Sequence, residues 1–378
     1  VSSINVINIK HPSASSNAIT LAADGSAFIN TGVLGSRNRI INGDMRIDQR
    51  NAGASVTVTS GGGYFYPVDR FLGFNNTGVN FTAQRVSDAP AGFSNSARLT
   101  FGSAISLSTT NEATFQQIIE GFNVADLGWG SAGAQSITVG FWVKASFTGT
   151  NSIGFANDGG NRAYATTYTI NAANTWEYKT ITVPGDTGGT WNTTNLSGLF
   201  LRFNLAAGSN FAVSSNNTWS TRTGAYNASD SIYGTRAVGT PTSISAGATW
   251  QVTGIQLEAG TVATAFERRN YAQELSLCKR YFEPSGYAMG NSVTTSTMDM
   301  VYSFEVEKRT DVTYVFVNGT NAVTQSNRAG TNITSVNSAF RLDNRKAGFR
   351  LNVADTGLNV GTACFALANG AFAFSAEL

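Results

Sequence analysis

The chain is short of histidine, cysteine, proline and charge, and each shortage closes off a class of function. The one histidine, His11, stands in a Ser- and Asn-rich N-terminal stretch. A Ser-His-Asp triad or a histidine-based metal site would have to be built there, outside any pocket that the rest of the sequence predicts. No G-x-S-x-G elbow and no P-loop occurs. The two cysteines, Cys278 and Cys364, show no C-x-x-C or Cys/His spacing, which argues against zinc. They are expected as buried free thiols, with a disulfide between them left open. Charged residues make up 13% of the chain and the net charge is +2; that is about half the usual charged share. Without a basic tract there is no nucleic-acid footprint, and without a run of about 18 apolar residues no membrane insertion is expected. The opening residues, VSSINVINIKHPSASSNAIT, lack the charged-then-apolar pattern of a signal peptide.

What is present in quantity is glycine, 40 residues against 6 prolines, together with Asn, Ser and Thr. Gly and Asn supply the positive φ angles of tight turns, so the composition suits an all-β protein with many hairpins. Hydrophobic residues at 42% and aromatic residues at 11% exceed what a disordered chain carries. A length of 378 residues is enough for two or three domains with real cores.

Residues 1–36 alternate in short pieces, INVINI and AITLAADGSAFINTG, with a hairpin turn at ADG. So short a hairpin is marginal in water; it is expected to lean on the rest of the protein, a sister chain or a larger assembly, as an attachment segment. Residues 37–266 carry a series of period-2 runs, among them VDRFLGF (68–74), TFQQIIEG (114–121), SITVGFWVKAS (136–146), GLFLRFNLA (198–206) and TWQVTGIQLEAG (249–260). This is the pattern of a jelly-roll β-sandwich rather than a βα repeat. In SITVGFWVKAS, Ile137, Val139, Phe141 and Val143 share one face and Trp142 points to the other. Residues 267–282, ERRNYAQELSLCKRYF, are the one convincing helix, with Tyr271, Leu275, Cys278 and Phe282 on one stripe at spacings of 4, 3 and 4. The stripe reads as the packed face of a linking helix or as a short self-association seam. Residues 283–378 return to strands, including MVYSFEVEK (300–308) and AGFRLNVA (347–354), with Asn-Gly hairpin signals in VNGT and LANGAF. They are expected to form a second, smaller β-sandwich.

Candidate chemistry is sparse. Glu112, Glu120 and Asp126 cluster in one stretch, the place to look for a carboxylate pair that cleaves glycosidic bonds. The plainer reading is a set of hydrogen-bonded structural carboxylates, and no enzymatic function is expected. Asp69 and Arg70 in YPVDRFLG are expected on opposite faces of a strand, as a buried anchor held by partners. Tyr64, Tyr66, Trp191, Trp219, Tyr226 and Tyr233 fall in loops rich in Gly, Asn, Ser and Thr. Such aromatics serve as sugar platforms or fill loop mini-cores. The stretch 207–248 is long and weakly patterned, as functional or partner-ordered loops are.

Four motifs stand in one order: NRIINGDMRIDQRNAG (38–53), YPVDRFLG (66–73), FQQIIEGFNVADLGWGSAGAQSITVGFWVKAS (115–146) and GIQLEAGTVATAFERRNYAQELSLCKRYF (254–282). Together they resemble the jelly-roll domain of tailed-phage tail fibres and related receptor-binding appendage proteins. NRIINGD and FWVKAS are also similar to carbohydrate-binding jelly rolls attached to glycan-degrading enzymes. MVYSFEVEKRTDVTYVFVNG (300–319) is similar to the β-domain that often follows in the appendage proteins, with Val312 where that pattern has proline. The resemblance implies a virion appendage that joins other virion proteins through its N-terminal part and presents loops to host-surface glycans. It implies a homotrimer with the helix near the three-fold axis. A purely structural virion component without its own ligand and a glycan depolymerase are the alternatives. The resemblance further implies a structural calcium at Asn42, Gly43 and Asp44, with Glu258 contributed by the last strand beside Gln256; the plainer reading of that short motif is a structural turn alone.

Overall fold

The computed structural model describes residues 8–9, 19–21, 27–29, 37–61, 63–213, 215–221, 243–286, 288–316, 323–325, 332–354, 357–366 and 372–378. Tyr226 and Tyr233 and the Asn-Gly turns of VNGT and LANGAF lie outside the described residues. Among the described residues the fold is all-β apart from one α-helix and three single-turn 3-10 segments.

Antiparallel ladders build a sandwich from residues 56 to 259. One sheet has seven strands, in the order Ser220–Thr221, Arg162–Ile170, Gly149–Ala156, Ser197–Ala207, Glu112–Glu120, Phe71–Asn75, Tyr64–Val68. The other has six, in the order Glu177–Val183, Ile137–Ala145, Thr249–Ala259, Ser96–Phe101, Phe81–Val86, Val56–Val58. The period of two decides what fills the space between them. Ile137, Val139, Phe141 and Val143 point inward and share one core with Phe115, Ile153, Phe155, Leu201 and Phe203. Phe141 meets Tyr168 and Phe203 edge-on, with ring centres 5.2 and 5.1 Å apart, the arrangement that ring quadrupoles favour. Trp250 is buried in the same layer and its N–H donates to Tyr168 Oη at 3.1 Å, so the indole costs no unpaired donor. Each buried Phe is worth roughly 1.5–3 kcal/mol, which outweighs any surface ion pair.

The expected strand VDRFLGF is two strands. The chain turns at Asp69 and Arg70, with Val68 paired to Phe71 across the turn, and Arg70 takes φ 70°. The two residues therefore occupy a tight corner rather than opposite faces of one strand. Both are buried and held. Asp69 accepts from Gln49 N at 3.1 Å and Gln49 Nε2 at 2.5 Å and faces Arg50 at 3.5 Å. Arg70 pairs with Glu377, donates to Ile118 O at 2.7 Å and lies 3.5 Å over the Tyr281 ring. Left-handed backbone is costly for a side-chain-bearing residue, and this set of contacts is what holds it there.

The helix runs Tyr271–Lys279, with the Asn270 side chain capping it by accepting from Gln273 N at 2.8 Å. It is shorter than 267–282. Phe282 stands beyond it, in a strand laddered to Ser375. The stripe expected as a seam is thereby split. Cys278 is fully buried against Ile41, Ile47 and Tyr281, Leu275 is partly buried beside them, Phe282 is buried, and Tyr271 is 56% exposed. Cys278 and Phe282 are used up inside the chain and cannot line a contact between chains. Glu274 is buried as well, because its carboxylate accepts from Asn42 N at 2.5 Å and pairs with Arg269 at 3.3 Å.

Beyond the helix, a three-stranded and a six-stranded sheet enclose a second core around Met298, Phe349, Phe372 and Phe374. The C-terminus returns to the first sandwich. Arg309 donates to Asn195 O at 2.8 Å and to Glu377 O at 2.9 Å, while the Glu377 carboxylate takes Arg50 and Arg70. Near the N-terminus, Asn8–Ile9, Ile19–Leu21 and Ala27–Ile29 form a small antiparallel sheet.

Candidate functional site

The outer face of the six-stranded sheet carries a group of aromatic rings beside an open cleft. In Ile137–Ala145, alternation sends Thr138, Gly140, Trp142 and Lys144 outward. The ladders set Tyr178 and Thr253 on either side of Trp142, and Thr180 and Gln256 on either side of Gly140. Two glycines clear ground in this face. A Cβ on Gly140 would stand 3.1 Å from Tyr178 Cζ and nearer still to its hydroxyl, so the Tyr178 ring lies across Gly140. Gly254 adopts φ 62° at the irregularity in the ladder, and a Cβ there would stand 2.7 Å from Phe93 Cζ and 3.1 Å from Trp142 Cδ1. Only glycine takes that backbone freely and also leaves the rings room.

Tyr178 and Trp142 have ring centres 5.4 Å apart, and Tyr178 is 44% exposed. The walls come from two loops, through Ala91 and Phe93 on one side and Ala263, Thr264, Ala265, Phe266 and Arg268 on the other. They enclose an open cleft of about 510 Å³. Phe93 meets Phe266 edge-on at 5.2 Å, and the Arg268 guanidinium sits 4.6 Å from the Phe93 centre and 5.5 Å from the Phe266 centre. Glu258 pins the second loop. Buried beside Gln256, it accepts from Thr264 N at 2.8 Å, Thr264 Oγ1 at 2.7 Å and Gln256 Nε2 at 2.9 Å. Partial burial, with the Glu258 charge second, raises the Tyr178 phenol above its ordinary value, so that hydroxyl stays protonated. Along the same face Lys144 pairs with Asp88 at 2.5 Å, and Asp88 accepts from Trp176 Nε1 and Gln251 Nε2 at 3.2 Å each. Burial pushes the Asp88 carboxyl up, but the hydrogen bonds from Lys144, Trp176 and Gln251 prevail and hold it below the ordinary value. The cleft thus offers ring faces, the hydroxyls of Tyr178 and Thr264, and one guanidinium.

The residues singled out in the sequence are placed elsewhere. Trp191 and Trp219 come together with Trp129, which the loop pattern did not reveal, at ring-centre distances of 4.7, 5.3 and 5.4 Å. All three indoles are half-buried and donate to main-chain oxygens, of Gly188, Pro184 and Gln135 respectively. That is a loop mini-core. Tyr64 is 67% exposed and leans on Phe74 at the far edge of the seven-stranded sheet. Tyr66 is half-buried under Arg50, 4.1 Å from its ring centre, and burial with the Glu377 charge raises its pKa to about 12.

The calcium ligands are committed to other work. The Asn42 amide donates to Ile47 O and Asp69 O and accepts from Ile47 N, Asp44 pairs with Arg46 at 2.5 Å, and Glu258 holds Thr264. Among the described residues no cluster of three His, Cys, Asp or Glu side chains suits a metal ion. Glu112, Glu120 and Asp126 are likewise separate. Glu112 lies 3.6 Å from Arg202, Asp126 pairs with Arg39 at 2.5 Å, and Glu120 takes Arg280 at 2.6 and 3.1 Å and Tyr281 Oη at 2.6 Å. Both cysteines are buried and free.

No family model matches the chain, and no curated protein matches it. Among solved structures it is similar to the enzymatically active domain of bacteriophage CBA120 tailspike protein 4, with a TM-score of 0.30 and 15% identity over 59% of this chain. That match spans 21% of the tailspike chain. The chain is also similar to TmCBM61 in complex with β-1,4-galactotriose, with a TM-score of 0.29 and 10% identity over 60% of this chain and 100% of the module. A family 11 carbohydrate-binding module from Clostridium thermocellum, in complex with a β-1,3-1,4-mixed-linked tetrasaccharide, gives a TM-score of 0.28 and 11% identity over 56% of this chain and 98% of the module.

Proposed function

We propose that the chain binds carbohydrate through the outer face of its six-stranded sheet. The observation that carries this reading is the ground cleared at Gly140 and Gly254, where Tyr178, Trp142 and Phe93 lie against the sheet and border an open cleft. A pyranose has an apolar C–H face and a rim of hydroxyls. Rigid ring surface beside Thr264 and main-chain groups complements both.

At the finer level the chain is the glycan-binding part of a virion appendage, a tail fibre or receptor-binding protein that attaches to host-surface glycans as a homotrimer. What supports this is the run of four motifs in one order between residues 38 and 282. The proposed role is binding without cleavage; in its support, each of Glu112, Glu120 and Asp126 is committed to an arginine.

A glycan array read with the wild type, Trp142→Ala and Tyr178→Ala tests the site. The expected result is a set of bound glycans that both variants lose while their melting temperatures stay within a few degrees of wild type. A wild type that binds nothing, or variants that bind like it, defeats the reading. Light scattering on the full chain tests the appendage: a mass of three chains supports it, and a monomer removes the trimer as an intrinsic property.

A further inference from the structure

The cleft lining contains one charged residue, Arg268. Arg268 is exposed at the rim, and its contacts are the faces of Phe93 and Phe266. Among the described residues no carboxylate pairs with it. The neighbouring carboxylates all have partners other than Arg268. Lys144 and Asp88 neutralise each other, Glu258 faces Thr264 and Gln256, and Glu267 accepts from Asn38 N at 2.7 Å. Arg269, the next residue, is buried and paired with Glu274. Two adjacent arginines are thus treated oppositely: one closes an internal network, the other is held over two rings facing a ligand-sized space.

A guanidinium resting on aromatic faces keeps its in-plane N–H donors free. Those donors form a fork that matches a carboxylate with two parallel hydrogen bonds. We infer that the cleft selects an acidic glycan, one whose bound residue carries a sugar carboxylate, with Arg268 clamping that group while the Tyr178 and Trp142 rings take the pyranose. This rests on the proposed carbohydrate-binding role and names the class of glycan.

The experiment is the same array read with Arg268→Gln and Arg268→Lys, followed by titration calorimetry. The calorimetry uses the best-bound glycan and the same glycan with its carboxyl reduced to a primary alcohol. Arg268 is exposed and takes no ion pair among the described residues, so both variants are expected to fold; their melting temperatures check this. The expected result is that carboxylated glycans dominate the wild-type hits and that reduction of the carboxyl weakens binding by about tenfold or more, the scale of a charged hydrogen bond. Arg268→Gln loses the same factor for the acid and nothing for the alcohol. Arg268→Lys, which keeps charge without the fork, recovers part of it, and wild-type binding to the acid weakens with salt. The inference is overturned if the hits are neutral glycans, if sulfated glycans bind in place of carboxylated ones, or if Arg268→Gln binds the acid as the wild type does. Those outcomes leave carbohydrate binding intact. An array on which the wild type binds nothing defeats the carbohydrate reading itself, and this inference with it.

Discussion

Tyr178 lies across Gly140, its phenol occupying the space a β-carbon on that glycine would need. The clash would fall on the free end of a half-exposed side chain rather than on backbone. Gly140→Ala should therefore swing the ring outward and leave the sheet intact. Replacing a strand glycine even recovers about 0.5–1 kcal/mol of backbone entropy. The expected variant unfolds within about 1 kcal/mol of wild type and binds its glycan at least several-fold more weakly. Unchanged affinity in this variant would mean that the ring's position is irrelevant to the ligand.

Glu120 ties the first sandwich to the residues just past the helix. It is 2% exposed and receives two bonds from Arg280 and one from Tyr281. Glu120→Gln keeps the shape and removes the charge. Because the Arg280 side chain is 30% exposed, water screens part of the loss, and the expected cost is about 2 kcal/mol rather than the larger figure of a fully buried broken pair. Denaturant midpoints of Glu120→Gln and wild type measure it. The same variant should bind glycan normally, and if the wild type released products from host polysaccharide that Glu120→Gln did not, the non-catalytic reading would fall.

The sandwich was legible because its signal is local: alternation in SITVGFWVKAS names the four inward residues one by one. The corner at Asp69–Arg70 was not, because apolar residues continue on both sides and only the positive φ of Arg70, paid for by Glu377 more than three hundred positions away, reveals the turn. The helix was over-long for a similar reason. Cys278 and Phe282 are both apolar and correctly spaced, yet the chain leaves the helix after Lys279 because Phe282 pairs with Ser375. The cleft was the least legible part. Alternation turns Trp142 outward, but Phe93, Tyr178, Phe266 and Arg268 reach it from three other segments, and no single stretch of sequence announces that meeting. For the loop tryptophans the sequence left two readings open, sugar platform or mini-core, and their packing is that of a mini-core, because exposure of a loop does not imply exposure of its indoles.

Asp69 should give the stability curve an unusual slope. Burial, against the pull of Arg50 and the Gln49 hydrogen bonds and with Glu377 adding to the rise, lifts its pKa to about 6, whereas an unfolded Asp titrates near 3.9. A raised folded value means that the native state holds the proton more tightly. The stabilisation from this group is complete below about pH 4 and is lost as pH climbs through about 6, at most about 3 kcal/mol. Asp69→Asn should remove that part of the slope when unfolding is measured at pH 4.5, 5.5 and 7. Glu112 and Glu274, raised by burial in the same direction, keep theirs. Identical slopes in variant and wild type would place the Asp69 titration elsewhere.

The two thiols should be silent in the native protein. Burial pushes the pKa of both Cys278 and Cys364 up, and a protonated thiol is a poor nucleophile. A thiol-reactive dye should label none in buffer and two per chain in denaturant without reductant. One or no label in denaturant would reveal a disulfide.

The three loop tryptophans and the cleft aromatics should separate cleanly, because the same residue type does opposite work in the two places. Trp191 packs edge-on against Trp129 and Trp219 and spends its N–H on Gly188. Trp191→Ala deletes a half-buried ring from a mini-core that the surrounding loops cannot refill, at an expected cost of about 2–3 kcal/mol, below the range for a fully buried Trp. It should leave glycan affinity unchanged. Tyr178→Ala should do the reverse, since a ring 44% exposed contributes little to the fold and much to a ligand. Measuring melting temperature and affinity on both variants gives a crossed pattern if the platform is the sheet face. Loss of affinity in Trp191→Ala with Tyr178→Ala unaffected would move the binding surface to the loop end of the sandwich and return the sugar platform to the residues that the sequence first suggested.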